Sequence, residues 1–218
     1  VAVLHDGIKM ELKQAYEVFH RMKRDNFLVD RGHIVNFYKW WEGFEKALQD
    51  CFTIEEQVLC AQIENYKQMP ARLGASQRQQ DKMKIVKASV EIGHWAPRFE
   101  KQSTPEAVRE LISLMDCYSA TLLAYFKKKE NVIPSCLREV QQQCPNILEQ
   151  IERKTLRKVR TINGRIFLVL YTKQMDQKDL EAYKKKYFSF GDRRFYASAT
   201  REYSHQRVQL LSKDPLNP

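Results

Sequence analysis

Apolar residues recur every three or four positions along almost the whole chain, and this spacing limits what it can fold into. In residues 3–25 the stripe consists of Leu4, Ile8, Leu12, Tyr16 and Phe19. In residues 31–67 it consists of Ile34, Phe37, Trp41, Phe44, Leu48, Phe52, Val58 and Leu59. The alternation of period two that strands require is nearly absent, so the sequence predicts an all-α protein. With 218 residues and 43% hydrophobic content, the chain can form a buried core.

Capping signals predict where the following helices begin and end. A third helix is expected from Ser76 to about Glu100, with an interruption at Pro97. Ser-Thr-Pro-Glu at 103–106 combines an N-cap residue with a proline in the first turn, which predicts a fourth helix reaching about Val132. Four long helices with short connections favour an up-down four-helix bundle, and we assign it to residues 1–138.

Residues 139–218 are predicted to form a second, helical region. The apolar spacing predicts one helix over 145–171, then helices over about 176–188 and from residue 192 to before Pro215. Gly164 falls in the middle of the first of these helices. Since glycine costs about 1 kcal/mol in a helix interior, its presence suggests a close approach to another element.

Positive charge is concentrated in this second region. Residues 151–218 hold 16 of the 37 Lys and Arg but only 7 of the 27 Asp and Glu, which accounts for nearly all of the net charge of +10. Cations and aromatic residues occur together in segments such as KKKYF and DRRFY. The residues predicted to bind a partner are Arg153, Lys154, Arg157, Lys158, Arg160, Lys184, Lys185, Lys186, Arg193 and Arg194.

Such a basic extension fits an acidic protein surface or a larger assembly. Nucleic acid and an anionic membrane surface are the other partners that its charge would suit. The alternative is that the cations form an ordinary solvated face and that the aromatic rings belong to the core.

Other features of the composition exclude several classes. No apolar run is long enough for a transmembrane segment, and the scattered glycines form no phosphate-binding loop. The five cysteines have irregular spacing and no Cys-x-x-Cys pair, which argues against a zinc site. They are predicted to be reduced thiols in the cytoplasm or an organelle matrix.

Two segments of the chain echo one another. FTIEEQVL (52–59) and FKKKENVI (126–133) share Phe, three intervening residues, Glu, an amide, Val and an aliphatic residue. A glutamate four residues after a given position lies on the same helical face, and with histidine in the first position the pair could hold a metal ion. The echo is either a coincidence or the remnant of a duplicated site.

These segments resemble the hemerythrin-like (HHE cation-binding) family. LHDGIKMEL (4–12) resembles the first-helix motif of that family, and WWEGFEKALQDCFTIEEQVLCAQIE (40–64) resembles its second helix. YFKKKENVIPSCL (125–137) resembles its fourth helix, including the proline after the glutamate. The resemblance covers roughly residues 3–138.

The resemblance implies a set of metal-site positions. His5 matches the first ligand of the family, and Glu56 and Glu130 match its bridging carboxylates. Phe52 and Phe126 stand where the family has two ligand histidines. The family also has a ligand histidine on its third helix, where the segment QRQQDKMKIV (77–86) offers only Asp81. The loss of two imidazoles leaves His5, Glu56, Glu130 and Asp81 as a residual, vacant site, and the alternative is a single iron or manganese ion held by these four residues.

Three functional hypotheses follow. In the first, the chain is not an enzyme and needs no cofactor: it is a scaffold or assembly subunit, derived from a metal-binding bundle, that engages an acidic partner through its C-terminal third. In the second, it is a mononuclear iron or manganese protein. In the third, it is a helical nucleic-acid-binding protein. Trp40, Trp41, Trp95 and Tyr38 could stack on a ring-shaped ligand but are expected to be core or interface anchors.

Overall fold

The computed structural model describes residues 2–24, 31–101 and 104–211, which are helical almost throughout. No strand occurs in these three ranges, so the prediction of an all-α fold is confirmed. Within the same ranges, no helix combines the length and the hydropathy needed to cross a membrane.

The helices of the first part of the chain are α1 (Ala2–Arg24), α2 (Arg31–Ile54), α3 (Ala61–Glu64), α4 (Ala75–His94), α5 (Ala96–Lys101) and α6 (Pro105–Glu130). Between α2 and α3 the backbone is π-helical from Glu55 to Cys60, and a 3₁₀ turn at Ala71–Leu73 precedes α4. The helices of the second part are α7 (Ile133–Gln143), α8 (Ile147–Thr161), α9 (Arg165–Thr172), α10 (Gln177–Tyr187) and α11 (Phe190–Leu211).

Side-chain caps fix two of the helix starts. The Thr104 hydroxyl accepts a hydrogen bond from the amide of Ala107 at 3.2 Å, and Pro105 opens α6, as the sequence predicts. The carboxylate of Asp176 accepts from the amide of Asp179 at 2.7 Å and starts α10. Both contacts satisfy backbone donors that have no partner within their own helix.

The prediction of one continuous helix over 145–171 is wrong. Asn163 adopts a left-handed conformation with φ of 55°, and the amide of Gly164 donates to the carbonyl of Val159 at 2.8 Å, which ends α8. The chain then restarts as α9. The Asn-Gly pair is therefore a helix stop, because asparagine tolerates the left-handed conformation better than most residues do.

The close helix crossing lies at Gly7 on α1 instead of at Gly164. A Cβ atom on Gly7 would stand 2.3 Å from the carbonyl oxygen of Leu170 on α9. A Cβ atom on Gly164 would meet nothing closer than 3.4 Å. The absence of a side chain at Gly7 therefore lets α1 and α9 pack with their backbones in contact.

Four of the helices are neighbours in a cyclic order. α1 packs against α2 and α6, and α4 packs against the same two helices. Their shared interior is rich in aromatic side chains, for example Trp41, whose ring meets that of Tyr118 edge-on at 5.0 Å. Two of these helices, α1 and α6, carry the candidate site together with the π-helical segment that follows α2.

The C-terminal helices continue the same core. Residues 167–172 of α9 are all buried, and α9 packs against α1, α2 and α11. The predicted boundary at residue 138 falls inside α7. Buried residues on both sides of that position belong to one hydrophobic cluster.

Candidate functional site

Five polar side chains from α1, the π-helical segment and α6 form a buried charge cluster: His5, Glu55, Tyr125, Lys129 and Glu130. The side chains of His5, Glu55 and Lys129 have no exposed surface at all. Charged groups reach such depth only when they are paired and hydrogen-bonded. The cluster is therefore the feature of the core that most needs a chemical account.

Glu55 is the centre of the cluster. One carboxylate oxygen lies 2.8 Å from Nε2 of His5, and the other accepts from Nζ of Lys129 at 2.6 Å and from the hydroxyl of Tyr125 at 3.0 Å. Nδ1 of His5 lies 2.7 Å from a carboxylate oxygen of Glu130. The same oxygen accepts from Lys9 at 2.7 Å, which carries the network from the interior to the surface.

The positions of protons follow from these contacts. An ionised carboxylate can only accept hydrogen bonds, and each ring nitrogen of His5 faces one. Both contacts are satisfied together only when His5 carries a proton on each nitrogen. His5, Lys129 and Lys9 then balance the negative charges of Glu55 and Glu130.

The pKa of Glu55 reflects this balance. Burial alone would raise it, but the charge of Lys129 and the hydrogen bond from His5 outweigh that effect and lower the pKa to about 2. Burial also opposes ionisation of Glu130, yet Lys9 and His5 bring its pKa below the usual range. Both groups are therefore carboxylates at neutral pH.

The echo in the sequence has a structural meaning that the prediction missed. Glu55 follows Phe52 by three residues, and Lys129 follows Phe126 by three residues. These equivalent positions point inward and pair with each other. The glutamates that follow the phenylalanines by four residues, Glu56 and Glu130, are 35% and 24% exposed. Because residues at both spacings lie near the starting residue on a helix, the sequence pattern could not choose between them.

The two phenylalanines in the positions of the expected histidines are buried. The ring of Phe126 stacks on His5, with centroids 4.0 Å apart and planes 13° apart. Phe52 meets Tyr125 edge-on at 5.3 Å. Both rings therefore border the cluster without adding a donor atom to it.

The structure does not bring together the four residues proposed as a residual metal site. His5 and Glu130 are in contact, but Glu56 binds Arg78 and Lys82 of α4 instead. Asp81 binds Lys128 and Gln77. Cations of the chain itself thus pair with the carboxylates that the metalloprotein alternative assigned to an ion.

The donor set around His5 does not fit a metal centre. Both imidazole nitrogens are engaged by carboxylates, and the ammonium of Lys129 occupies the space that a cation would share with Glu55. Within residues 2–24, 31–101 and 104–211, no three His, Cys, Asp or Glu side chains are arranged to ligate one ion.

A second buried carboxylate joins the C-terminal helices to α1 and α2. Glu11 is 3% exposed, and it accepts hydrogen bonds from Trp40 at 3.2 Å, from Lys173 at 3.3 Å and from the hydroxyl of Tyr203. These partners come from α2, from the residue after α9, and from α11. Nothing in the local sequence of Glu11 marks it as buried.

The predicted partner-binding cations lie on three adjacent helices, α8, α10 and α11. Arg160 of α8 pairs with Asp192 of α11 at 3.1 Å, and Lys184 of α10 lies 4.9 Å from the ring of Tyr196 on α11. Tyr183 of α10 donates to Glu152 of α8 at 2.9 Å. We call the cations of these helices the basic face.

Half of the ten predicted cations, including Arg160, have internal partners. Arg153 and Lys184 pair with Glu149 and Glu181 within their own helices, and Lys186 and Arg194 lie over the rings of Tyr187 and Phe190. For the others, the described residues include no ion pair or ring contact; they are Lys154, Arg157, Lys158, Lys185 and Arg193. Phe190, beside Arg194, is 71% exposed.

The aromatic residues considered as a ring-binding set belong mainly to the core. Trp40 and Trp41 are 5% and 3% exposed, and the hydroxyl of Tyr38 donates to the carbonyl of Ile92 at 3.2 Å. Trp95 is partly buried and lies 4.4 Å from the guanidinium of Arg98. These positions agree with the prediction that the four side chains are core or interface anchors.

The cysteines are thiols without disulfides, and four of the five are buried. Burial raises the pKa of Cys51 well above its ordinary value and that of Cys60 to about 11. Both thiols are therefore protonated at neutral pH, and a protonated thiol is a weak nucleophile.

Comparisons with models of protein families, with curated proteins and with solved structures find no match to this chain.

Proposed function

We propose that this chain is a non-catalytic helical interaction protein that binds an acidic partner through its basic face. The observation that carries the proposal is a set of cations on α8, α10 and α11 without an ion pair in the described part of the chain. Lys154, Arg157, Lys185 and Arg193 are exposed, and Lys158 is half-buried. An acidic protein surface could pair with them and bury the exposed ring of Phe190 at the same time.

The buried charge cluster supports a structural role for the interior. Its carboxylates are neutralised by His5, Lys9 and Lys129, so this cluster offers neither an open ligand position nor an unpaired acid or base. We propose that α1, α2, α4 and α6 form an up-down bundle in which Lys129 replaces a metal ion. Descent from a hemerythrin-like bundle would explain the echo of the two helices, and the cyclic order of contacts fits that architecture.

Binding of defined anionic probes tests the role of the basic face. The full chain is titrated into a labelled poly-glutamate peptide, a DNA duplex and vesicles that contain phosphatidylserine. We expect the peptide to bind most tightly, with an affinity that falls as salt increases. Arg157→Glu/Lys185→Glu/Arg193→Glu should weaken it at least about tenfold.

A matched variant separates the basic face from net charge. Lys13→Glu/Lys23→Glu/Lys39→Glu reverses three exposed cations on α1 and α2 and should leave the affinity for the peptide within about twofold. Equal losses in the two variants would show that only the total charge matters. Tighter binding of DNA or of vesicles would favour those partners instead.

Metal analysis tests the account of the interior. The purified protein is incubated with Fe²⁺ or Mn²⁺, desalted and analysed for bound metal, and we expect a content well below one ion per chain. A stoichiometric ion would support the metalloprotein alternative. Lys129→Ala serves as the comparison, since it removes the competing ammonium group.

A further inference from the structure

The outer face of α4 carries a row of exposed apolar side chains. Met83 is 60% exposed, Val86 is 36% exposed and Val90 is 47% exposed. Gln79 precedes them and Gly93 follows them in the same alternation of four and three residues, and both are exposed. This alternation is the spacing of a coiled-coil seam. We call these five positions the α4 seam.

A groove runs beside the seam, between α4 and the end of α2. Its volume is about 390 Å³, and its floor is the ring of Phe52. Met83 and Val86 form one wall. The opposite wall is polar, with Gln49, Thr53 and Gln57 and with the carboxylate of Glu56, which Lys82 neutralises. Side chains of a neighbouring helix could pack as knobs into such a surface.

The seam is long enough for a short helix. Gln79 and Gly93 are fourteen residues apart in one helix, which corresponds to about 21 Å. Isolated exposed apolar residues are ordinary on a protein surface, but consecutive positions in one register beside a groove are typical of a binding surface. Within the described residues, α4 packs closely against α2, α5, α6 and the 3₁₀ turn, and these elements leave the seam exposed.

The charges beside the seam indicate what covers it. In the heptad register set by Met83 and Val86, Lys82 and Lys87 occupy the two flanking positions. Lys87 is exposed, and Lys82 pairs with Glu56 at 2.6 Å. A second copy of this chain, packed in parallel, would place Lys82 of one copy against Lys87 of the other. A helix with glutamate or aspartate there would form ion pairs instead.

We propose that the α4 seam is the docking surface for an amphipathic helix of another protein, with apolar residues at its own a and d positions and acidic residues at the flanking positions. The apolar residues fill the groove over Phe52, and the acidic residues meet Lys87 and Lys82. This surface is separate from the basic face, which lies on α8, α10 and α11.

Designed peptides test the proposal with the full chain. The probe is a labelled helical peptide of about three heptads with leucine at a and d and glutamate at e and g. One matched peptide has lysine at e and g, and another has serine at a and d. We expect fluorescence anisotropy to show the tightest binding for the leucine–glutamate peptide. Met83→Ser/Val86→Ser/Val90→Ser should weaken this binding at least about tenfold.

Control variants separate the seam from the rest of the surface. Leu123→Ser/Leu148→Ser alters two leucines that are 44% and 46% exposed on other helices, and the affinity should not change. Lys87→Glu should shift the preference toward the lysine peptide. The serine–glutamate peptide can bind only through the basic face, so Arg157→Glu/Lys185→Glu/Arg193→Glu should abolish its binding. In the same variant, the part of leucine–glutamate peptide binding that the seam contributes should remain.

Three results would overturn the proposal. The first is equal affinity for the leucine–glutamate and serine–glutamate peptides, which would show that the apolar seam is not used. The second is equal affinity for the glutamate and lysine peptides. The third is a dimer of the chain itself in sedimentation velocity that the triple serine variant dissociates, because a second copy would then cover the seam. Unchanged circular dichroism of that variant excludes unfolding as the cause of a loss.

Discussion

The ammonium of Lys129 and the carboxylate of Glu55 pair at 2.6 Å, and neither side chain reaches solvent. Lys129→Met should therefore lower the free energy of unfolding by about 3–5 kcal/mol, because Glu55 keeps its burial but loses one of its two cations. Urea denaturation at neutral pH measures the loss.

Lys128→Met is the control for this substitution. Lys128 precedes Lys129 in the chain, but its side chain is 29% exposed where it pairs with Asp81. Its removal should cost no more than about 1 kcal/mol. Similar losses in both variants would contradict the central role assigned to Lys129.

Acid should weaken the fold through Glu55. Its pKa is about 2 in the folded protein, against the usual 4.5 of an exposed glutamate. The ionised group therefore contributes stability, on the order of 3 kcal/mol, that is fully present above pH 4.5 and is lost as the pH falls toward 2. Glu55→Gln removes this contribution, so the difference in unfolding free energy between wild type and variant should narrow across that range.

The comparison of two proteins isolates Glu55 from the other acidic groups, since Glu56 and Glu130 titrate in both. Glu149→Gln is a suitable control, because Arg153 lowers the pKa of Glu149 at a position where the side chain is 42% exposed. The difference in unfolding free energy between Glu149→Gln and wild type should stay small at every pH. A gap between wild type and Glu55→Gln that stays constant from neutral pH to pH 2 would contradict the assigned ionisation.

Gly7→Ala should destabilise the fold. The new methyl group would stand 2.3 Å from the carbonyl oxygen of Leu170, so α1 and α9 must separate, at a cost of about 1–3 kcal/mol or more. Gly93→Ala is the opposite case, because a Cβ atom there meets nothing within 4 Å. The free energy of unfolding of that variant should rise by up to about 1 kcal/mol, because alanine has the higher helix propensity. Thermal unfolding of the two variants checks the predicted difference in sign.

Arg78→Lys should loosen the segment before α4 without unfolding the core. The guanidinium of Arg78 binds Glu56, Glu64 and the carbonyl of Leu73, and a lysine cannot reproduce this fork of donors. Limited trypsin digestion should therefore cut faster at Lys67 and Arg72 in the variant. Arg109→Lys, at an exposed ion pair on α6, should leave the cleavage rate at these two sites unchanged.

Local rules recovered much of the helical order. The start of α6 followed from Thr104 and Pro105, since capping depends on a few adjacent residues. The stop at Asn163 was missed because the apolar spacing continues across it. The π-helical conformation of Glu55–Cys60 was also missed, since periodicity arguments assume 3.6 residues per turn.

The candidate site was predicted only in part. The sequence predicted His5 and Glu130 as residues of one site, and they are in contact. Lys129 and Arg78 were overlooked because a cation in a polar segment is usually solvent-exposed, and only long-range packing buries these two. The same limitation applies to Glu11, whose partners lie up to 192 residues away in the chain.

The position of α9 has a consequence for synthesis of the protein. This helix is buried among α1, α2 and α11, although it begins only at Arg165, whereas α1 ends at Arg24 and α2 ends at Ile54. During translation, α1 and α2 emerge long before the segment that covers them. Their apolar surfaces therefore stay uncovered until the last third of the chain has been synthesised. A chaperone could bind them during that time.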